Sequence, residues 1–211
     1  MLKDLEAILF DLDGTMWNSE EEVCNTWNQV VAKHPECRKG PITLEELKGC
    51  FGLPMTKIAE KLFSEVSSKE QQIIMDECCE LENSYLNEHG AKLYPKLEET
   101  LMELKKKYKL FVVSNCQQGY IESFIHAHHL EKCFDDTQSW GDNPVSKGEN
   151  NQVIMKRNGV TKAVYVGDTA GDEQSARDAG IPFIFCAYGF GQAKSPDAII
   201  NSFEELKDIL L

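Results

Sequence analysis

Four short apolar runs, each discharging into small, polar or acidic residues, constrain the fold of this chain more than any other feature. They are Ala7-Ile8-Leu9-Phe10, Leu110-Phe111-Val112-Val113, Ala163-Val164-Tyr165-Val166 and Pro182-Phe183-Ile184-Phe185. Runs this short, rich in aliphatic and aromatic side chains, read as strands buried on both faces. Helical patterns alternate with them. Leu97, Leu101, Leu104 and Tyr108 recur at helical spacing just before the second run. Residues Tyr120 to His128 and Glu149 to Asn158 supply helices between the second and third. Glu173 to Ala179, closed by Gly180 as a C-cap, lies between the third and fourth. This order predicts an α/β fold: a Rossmann-like, doubly wound parallel sheet with helices on both faces.

Residues from about 19 to 88 break the alternation and read as all helix. Ser19 with Glu22 has the spacing of a capping box ahead of Val23, Trp27 and Val30, which share a face. Thr43 with Glu46 repeats the device. Ser68 with Gln71 opens a long segment whose Ile74, Cys78, Leu81 and Tyr85 line one side. Pro35, Gly40-Pro41 and Gly52-Leu53-Pro54 punctuate these helices. With 211 residues, the chain is long for one compact domain and short for two. The expected organisation is a core of residues 1–16 and 90–211 interrupted by a helical domain over 17–89.

The formal net charge of -13 makes nucleic acid and anionic membranes poor partners. Acids interrupt the apolar run near the N-terminus, so it is expected to be neither a signal peptide nor a membrane span. The eight cysteines include no CxxC pair, which suggests reduced thiols and a cytoplasmic protein. An anionic substrate would need local positive charge against this acidic background, and a divalent cation would supply it.

Ligands bind at the carboxyl ends of the strands in an open parallel sheet. The first run ends in Asp11-Leu12-Asp13-Gly14-Thr15, the second in Ser114-Asn115, and the third in Gly167-Asp168-Thr169, with Asp172 four residues past Asp168. Any one of these alone reads as a turn or N-cap. Three at the same edge of one sheet read as a site. Asp11, Asp13 and Asp168 would converge if their strands are neighbours, and clustered carboxylates repel unless a cation neutralises them. Oxygen ligands without histidine or cysteine point to Mg²⁺, which keeps positions open for water and phosphate oxygens and suits phosphoryl transfer. His126, His128 and His129 do not share one helix face and read as surface or packing residues. Cys116 reads as a small buried filler.

Phe10-Asp11-Leu12-Asp13-Gly14-Thr15-Met16 resembles the first signature of the haloacid dehalogenase superfamily, in its phosphatase branch. Val113-Ser114-Asn115 looks like the second, Lys147 is placed like the third, and Val166-Gly167-Asp168-Thr169-Ala170-Gly171-Asp172 looks like the fourth. The helical insertion after the first signature is similar to that superfamily's first type of cap, so the resemblance covers essentially the whole chain. It implies a catalytic Asp11, a nucleophile forming an aspartyl-phosphate, and Asp13 as general acid and then base. It implies that Ser114, Asn115 and Lys147 bind phosphate, that Asp11, Asp13 through its backbone carbonyl, and Asp168 hold Mg²⁺, and that Asp172 acts beside the metal, directly or through water. Phe51-Gly52-Leu53-Pro54-Met55-Thr56-Lys57 looks like a substrate-selecting cap loop, with Thr56 and Lys57 as its polar groups. The chain departs from relatives at Asn18, where many carry an acid, and after Lys147, where prolines often follow.

The implied function is Mg²⁺-dependent hydrolysis of a small phosphorylated metabolite, resembling the phosphoglycolate phosphatase-like group, by a monomer or weak homo-oligomer. A sugar-phosphate mutase of the β-phosphoglucomutase kind is the nearest alternative, although the cap loop offers no arginine for a second phosphate. Dehalogenase and phosphonate-hydrolase branches lack an acid at the position of Asp13. A catalytically idle binding module would be expected to lose Asp11 or Asp168.

Overall fold

The structure is a computed structural model that describes residues 2–211. The first apolar run forms β1 (Ala7–Phe10), fully buried. A two-residue strand β2 (Trp17–Asn18) follows, then the helices α1 (Glu20–Val31), α2 (Leu44–Lys48), α3 (Met55–Leu62) and α4 (Ser68–His89). The chain returns through β3 (Lys92–Leu93), which pairs antiparallel with β2. These two short strands are the hinge through which the four helices leave and rejoin the sheet. The helices bury a hydrophobic core of their own, including Val23, Trp27, Leu47, Ile58, Ile74 and Cys78.

The remainder alternates helix and strand: α5 (Leu97–Lys105), β4 (Lys109–Ser114), α6 (Tyr120–Ala127), β5 (Asp136–Ser139), α7 (Lys147–Arg157), β6 (Ala163–Gly167), α8 (Ala170–Ala179), β7 (Phe183–Cys186), β8 (Ala198–Ile200) and α9 (Leu206–Leu210). Six strands form one parallel sheet in the order β5-β4-β1-β6-β7-β8. A separate hydrophobic cluster covers each face of the sheet, one around Phe10, Leu101 and Phe124 and the other around Leu9, Ile154 and Tyr165. This is the doubly wound sheet predicted from the alternation. Placing β1 between β4 and β6 matters for function. Phe10 is level with Val112 on one side and Val166 on the other, so the polar residues after all three strands emerge together.

Three local expectations change. Ser19 precedes α1 but caps nothing: its hydroxyl makes no helix-end hydrogen bond and is turned into the core. The box opening α4 is Ser67 with Glu70, one residue earlier than Ser68 with Gln71. Within α4 the buried stripe passes through Glu82 and Leu86, leaving Tyr85 exposed. Thr43 with Glu46 does form a capping box. All eight cysteines are unpaired. No helix of the described residues is long and apolar enough to cross a membrane.

Candidate active site

The chain end of β1 places Asp11 at the centre of the sheet edge, its backbone N–H donating to the Val166 carbonyl at 2.9 Å. Lys147 is the first residue of α7, which a Ser146–Glu149 capping box starts at this edge. Its buried ammonium donates to Asp11 Oδ1 at 2.9 Å and to Asp172 Oδ1 at 2.7 Å. The other oxygen of Asp172 accepts from the backbone N–H groups of Asp168 and Thr169 and from the Thr169 hydroxyl, fixing the start of α8. Asp168 Oδ2 accepts from the Phe190 N–H at 2.6 Å. Gly14 closes the turn after β1 at φ +76°, where a Cβ would overlap the Asp168 carboxylate. Only glycine lets the loop after β1 sit so close to the acid that follows β6. Ser114 is buried at the end of β4 and lines the same cavity as Asp11 and Asp13.

Asp11, Asp168 and Asp172 each present a carboxylate oxygen to one point, all within 4.8 Å of one another. Burial, reinforced by repulsion from Asp172, pushes the Asp11 carboxyl up to about 7. Burial and repulsion from Asp172 and Asp11 push Asp168 up to about 8. Lys147 is raised well above its ordinary value, because the Asp11 and Asp172 charges outweigh its burial. Three buried acids therefore face one lysine, an imbalance that a divalent cation corrects. The all-oxygen donor set fits Mg²⁺. The Asp13 side chain lies outside this cluster.

Asp13 is turned toward the hinge instead. A single oxygen, Oδ1, accepts from Trp17 Nε1 at 2.9 Å, Ser19 Oγ at 2.6 Å and Tyr120 OH at 2.8 Å. Its second oxygen has no hydrogen-bond partner among the described residues. Burial raises the Asp13 carboxyl above its ordinary value against these three donors. Three donors on Oδ1 leave Oδ2 as the oxygen able to carry a proton. Ser19 and Tyr120 went unrecognised as site residues in the sequence. The serine carried a helix-cap pattern that masked its role, and nothing local to Tyr120 signals a partner 107 residues away.

The cap closes over this floor. Asn115 Nδ2 donates to the Gly52 carbonyl at 2.9 Å, Asn83 Nδ2 to the Gln118 carbonyl at 2.8 Å, and Phe51 stacks on Phe190 with centroids 5.0 Å apart. The cavity between cap and core is bounded by Asp11, Asp13 and Ser114 below and by Trp27, Phe51, Leu53, Met55 and Glu82 on the cap side. Of the cap loop, Phe51, Gly52, Leu53 and Met55 reach the cavity. Thr56 and Lys57 do not. Both are exposed, and Lys57 pairs with Glu60 at 2.8 Å.

The sequence model of the haloacid dehalogenase-like hydrolases matches residues 8–186. A phosphoglycolate phosphatase of Aliivibrio fischeri is 24% identical, with 100% of this chain aligned to 98% of that protein. One from Haemophilus influenzae is 26% identical with both chains fully covered. Among solved structures, a haloacid dehalogenase-like family hydrolase from Streptococcus pneumoniae superposes with a TM-score of 0.83 at 20% identity, over 98% of this chain and 99% of its own. CbbY from Rhodobacter sphaeroides, solved in complex with phosphate, gives 0.80 at 19% identity over 96% of both. The chain belongs to the haloacid dehalogenase-like hydrolase family and is an enzyme.

Proposed function

We propose that this haloacid dehalogenase-like hydrolase is a Mg²⁺-dependent phosphatase that cleaves a small organic phosphate monoester through an aspartyl-phosphate on Asp11. The observation that carries the reading is the division of labour between two acids two residues apart. Asp11 is paired with an ammonium, as a nucleophile that must be ionised requires. Asp13 has no cationic partner and keeps one oxygen free for a proton.

In the first step an Asp11 carboxylate oxygen bonds to phosphorus while the bond from phosphorus to the alcohol oxygen breaks. Asp13 Oδ2 gives its proton to that leaving oxygen. In the second step Asp13, now ionised, takes a proton from water as the water oxygen attacks the phosphorus. Inorganic phosphate leaves, and Asp11 and protonated Asp13 are restored. Lys147 neutralises phosphate oxygens next to Asp11, and Ser114 with Asn115 offers hydrogen-bond donors at the end of β4. Asp11, Asp168 and the backbone carbonyl of Asp13 would hold Mg²⁺, with Asp172 beside them. The bound cation neutralises charge that builds on the transferring phosphoryl group. Cap closure over the cavity keeps bulk water from the phosphate.

A sugar-phosphate mutase would need cations on the cap side for a second phosphate, and among the described residues no lysine or arginine of the cap lines the cavity. Release of phosphate from p-nitrophenyl phosphate, measured with and without Mg²⁺, tests the proposal. The wild type should turn over only with the metal. Asp11→Asn should lose about four orders of magnitude or more while unfolding at a similar temperature. Metal-independent turnover, or an active Asp11→Asn enzyme, would overturn the reading.

A further inference from the structure

The cap side of the cavity holds an acid that the chemistry above does not use. Glu82 sits on α4 at 3% exposure and lines the cavity beside Trp27 and Met55. Both of its hydrogen bonds go to one oxygen: Oε2 accepts from Trp27 Nε1 at 2.7 Å and from Gln117 Nε2 at 3.2 Å. Neither donor can reverse its role. An indole N–H only donates. The Gln117 amide is held the same way round by Asn83, whose Oδ1 accepts from Gln117 Nε2 at 3.0 Å while its Nδ2 donates to the Gln118 carbonyl at 2.8 Å. Oε1 is left without a hydrogen-bond partner among the described residues. It is not sealed either, since the fully enclosed, unpartnered side-chain atoms there are on Glu20, Thr100 and Asn151.

Donors on one oxygen and none on the other suit a neutral carboxylic acid, whose carbonyl oxygen accepts while its hydroxyl keeps a proton to give. Among the described residues lining the cavity there is no lysine, arginine or histidine to favour the ion. Burial pushes the Glu82 carboxyl up to about 8, against the Trp27 hydrogen bond. At neutral pH the roof therefore presents Oε1–H. The other nitrogen and hydroxyl donors of the wall, Ser114 apart, are engaged elsewhere: Trp27 and Gln117 as above, Tyr120 with Asp13, and Asn115 with the Gly52 carbonyl. Around this single donor the roof is apolar, with Val23, Phe51, Leu53 and Met55. A leaving group bearing an oxygen acceptor satisfies the donor. A hydrocarbon leaves it buried and unpaired, and an ammonium sets a second donor against it.

We propose that Glu82 is a specificity-determining residue that gives a hydrogen bond to the leaving group, so that the enzyme selects phosphate esters of apolar alcohols carrying an oxygen acceptor such as an ether or hydroxyl oxygen. This rests on the phosphatase reading of the same site.

Esters that exchange a methylene for an oxygen test it: 2-methoxyethyl against n-butyl phosphate and, one carbon longer, 3-methoxypropyl against n-pentyl phosphate. Phosphoethanolamine supplies a group that can only donate, and p-nitrophenyl phosphate is the reference. Wild-type kcat/KM for the better ether should exceed that of its hydrocarbon partner, and that of phosphoethanolamine, by at least about tenfold. Glu82→Gln places an amide N–H where Oε1–H stands, because Trp27 and Gln117 hold its oxygen, and the ether-to-hydrocarbon ratio should stay within about threefold of wild type. Glu82→Met has no donor, and the ratio should fall at least about fivefold. A wild-type enzyme that uses the ethers no better than the hydrocarbons overturns the assignment without any variant. A preference for phosphoethanolamine does the same, since it would show an ionised Glu82. So does a folded Glu82→Met that keeps the ratio, or a folded Glu82→Gln that loses it. Failure on every ester, p-nitrophenyl phosphate included, would instead remove the phosphatase reading beneath it.

Discussion

The floor and the roof of the active-site cavity hold their buried acids in opposite ways. On the floor, Asp11 and Asp172 share the Lys147 ammonium, and backbone N–H groups hold Asp168 and Asp172. On the roof, Glu82 has only two neutral donors and one oxygen left over. The floor's cluster of three buried acids could hold a divalent cation. On the roof, burial pushes the Glu82 carboxyl up to about 8 and favours its protonated form. The difference between the two sets of buried acids is whether a lysine stands beside them.

Removing that lysine is the largest perturbation of the contrast. Lys147→Met leaves Asp11 and Asp172 buried without a cationic partner. It should cost about 3–5 kcal/mol of stability near neutral pH and lower turnover by about 10²–10³-fold. Denaturant unfolding near pH 8 and about pH 5 separates charge from packing, because the destabilisation should shrink at the lower pH as Asp11, pushed up to about 7, takes up a proton. A variant as stable as the wild type at both would mean the floor acids do not depend on Lys147.

Glu82 should respond with the opposite sign. Its carboxyl is pushed up to about 8 in the folded protein from an ordinary 4.5. The folded state thus holds that proton more tightly than the unfolded chain. The contribution to stability is full below about pH 4.5 and lost as the pH rises through about 8. Glu82→Gln has no proton to lose. Near pH 9 it should be more stable than the wild type by an amount on the order of a few kcal/mol, and the gap should close toward pH 5. Thermal melts across that range check it; parallel curves would show that Glu82 is already ionised without cost.

The smallest effect concerns Ser19, at the joint between floor and roof. Ser19→Ala should cost about 1 kcal/mol of stability, because the buried hydroxyl bonds Asp13 and Tyr120 although it caps no helix. It should slow turnover by about tenfold through the lost hydrogen bond to Asp13. Stability loss without a kinetic change would return Ser19 to the role of an N-cap.

The floor was legible in the sequence and the roof was not. Asp11, Ser114 and Asp168 follow apolar runs that could only be buried strands, so adjacency of those strands sufficed to gather them. Thr43 with Glu46 was legible for a similar reason, since both partners of a capping box lie within one turn. Ser19 with Glu22 has the same spacing, yet a tertiary acceptor on Asp13 takes the hydroxyl. β5, the polar run Asp136–Ser139, has no apolar signal because it is an edge strand, paired on one side only. Nothing local distinguishes Glu82 from the other acids of a long helix. Its burial depends on how α4 rotates against α1 and on Gln117 reaching it from the core, and neither is written within a helical turn.

The central claim is that Asp11 takes the phosphoryl group and Asp13 then activates the water that removes it. Asp13→Asn with p-nitrophenyl phosphate tests this most directly, because p-nitrophenolate leaves without an acid's help whereas hydrolysis of the aspartyl-phosphate still needs a base. Rapid mixing should show a burst of p-nitrophenolate equal to the enzyme concentration, then slow turnover, with a phosphoryl group on the Asp11 peptide after acid quench. Slow, linear release from the first moment, with no adduct on Asp11, would contradict it.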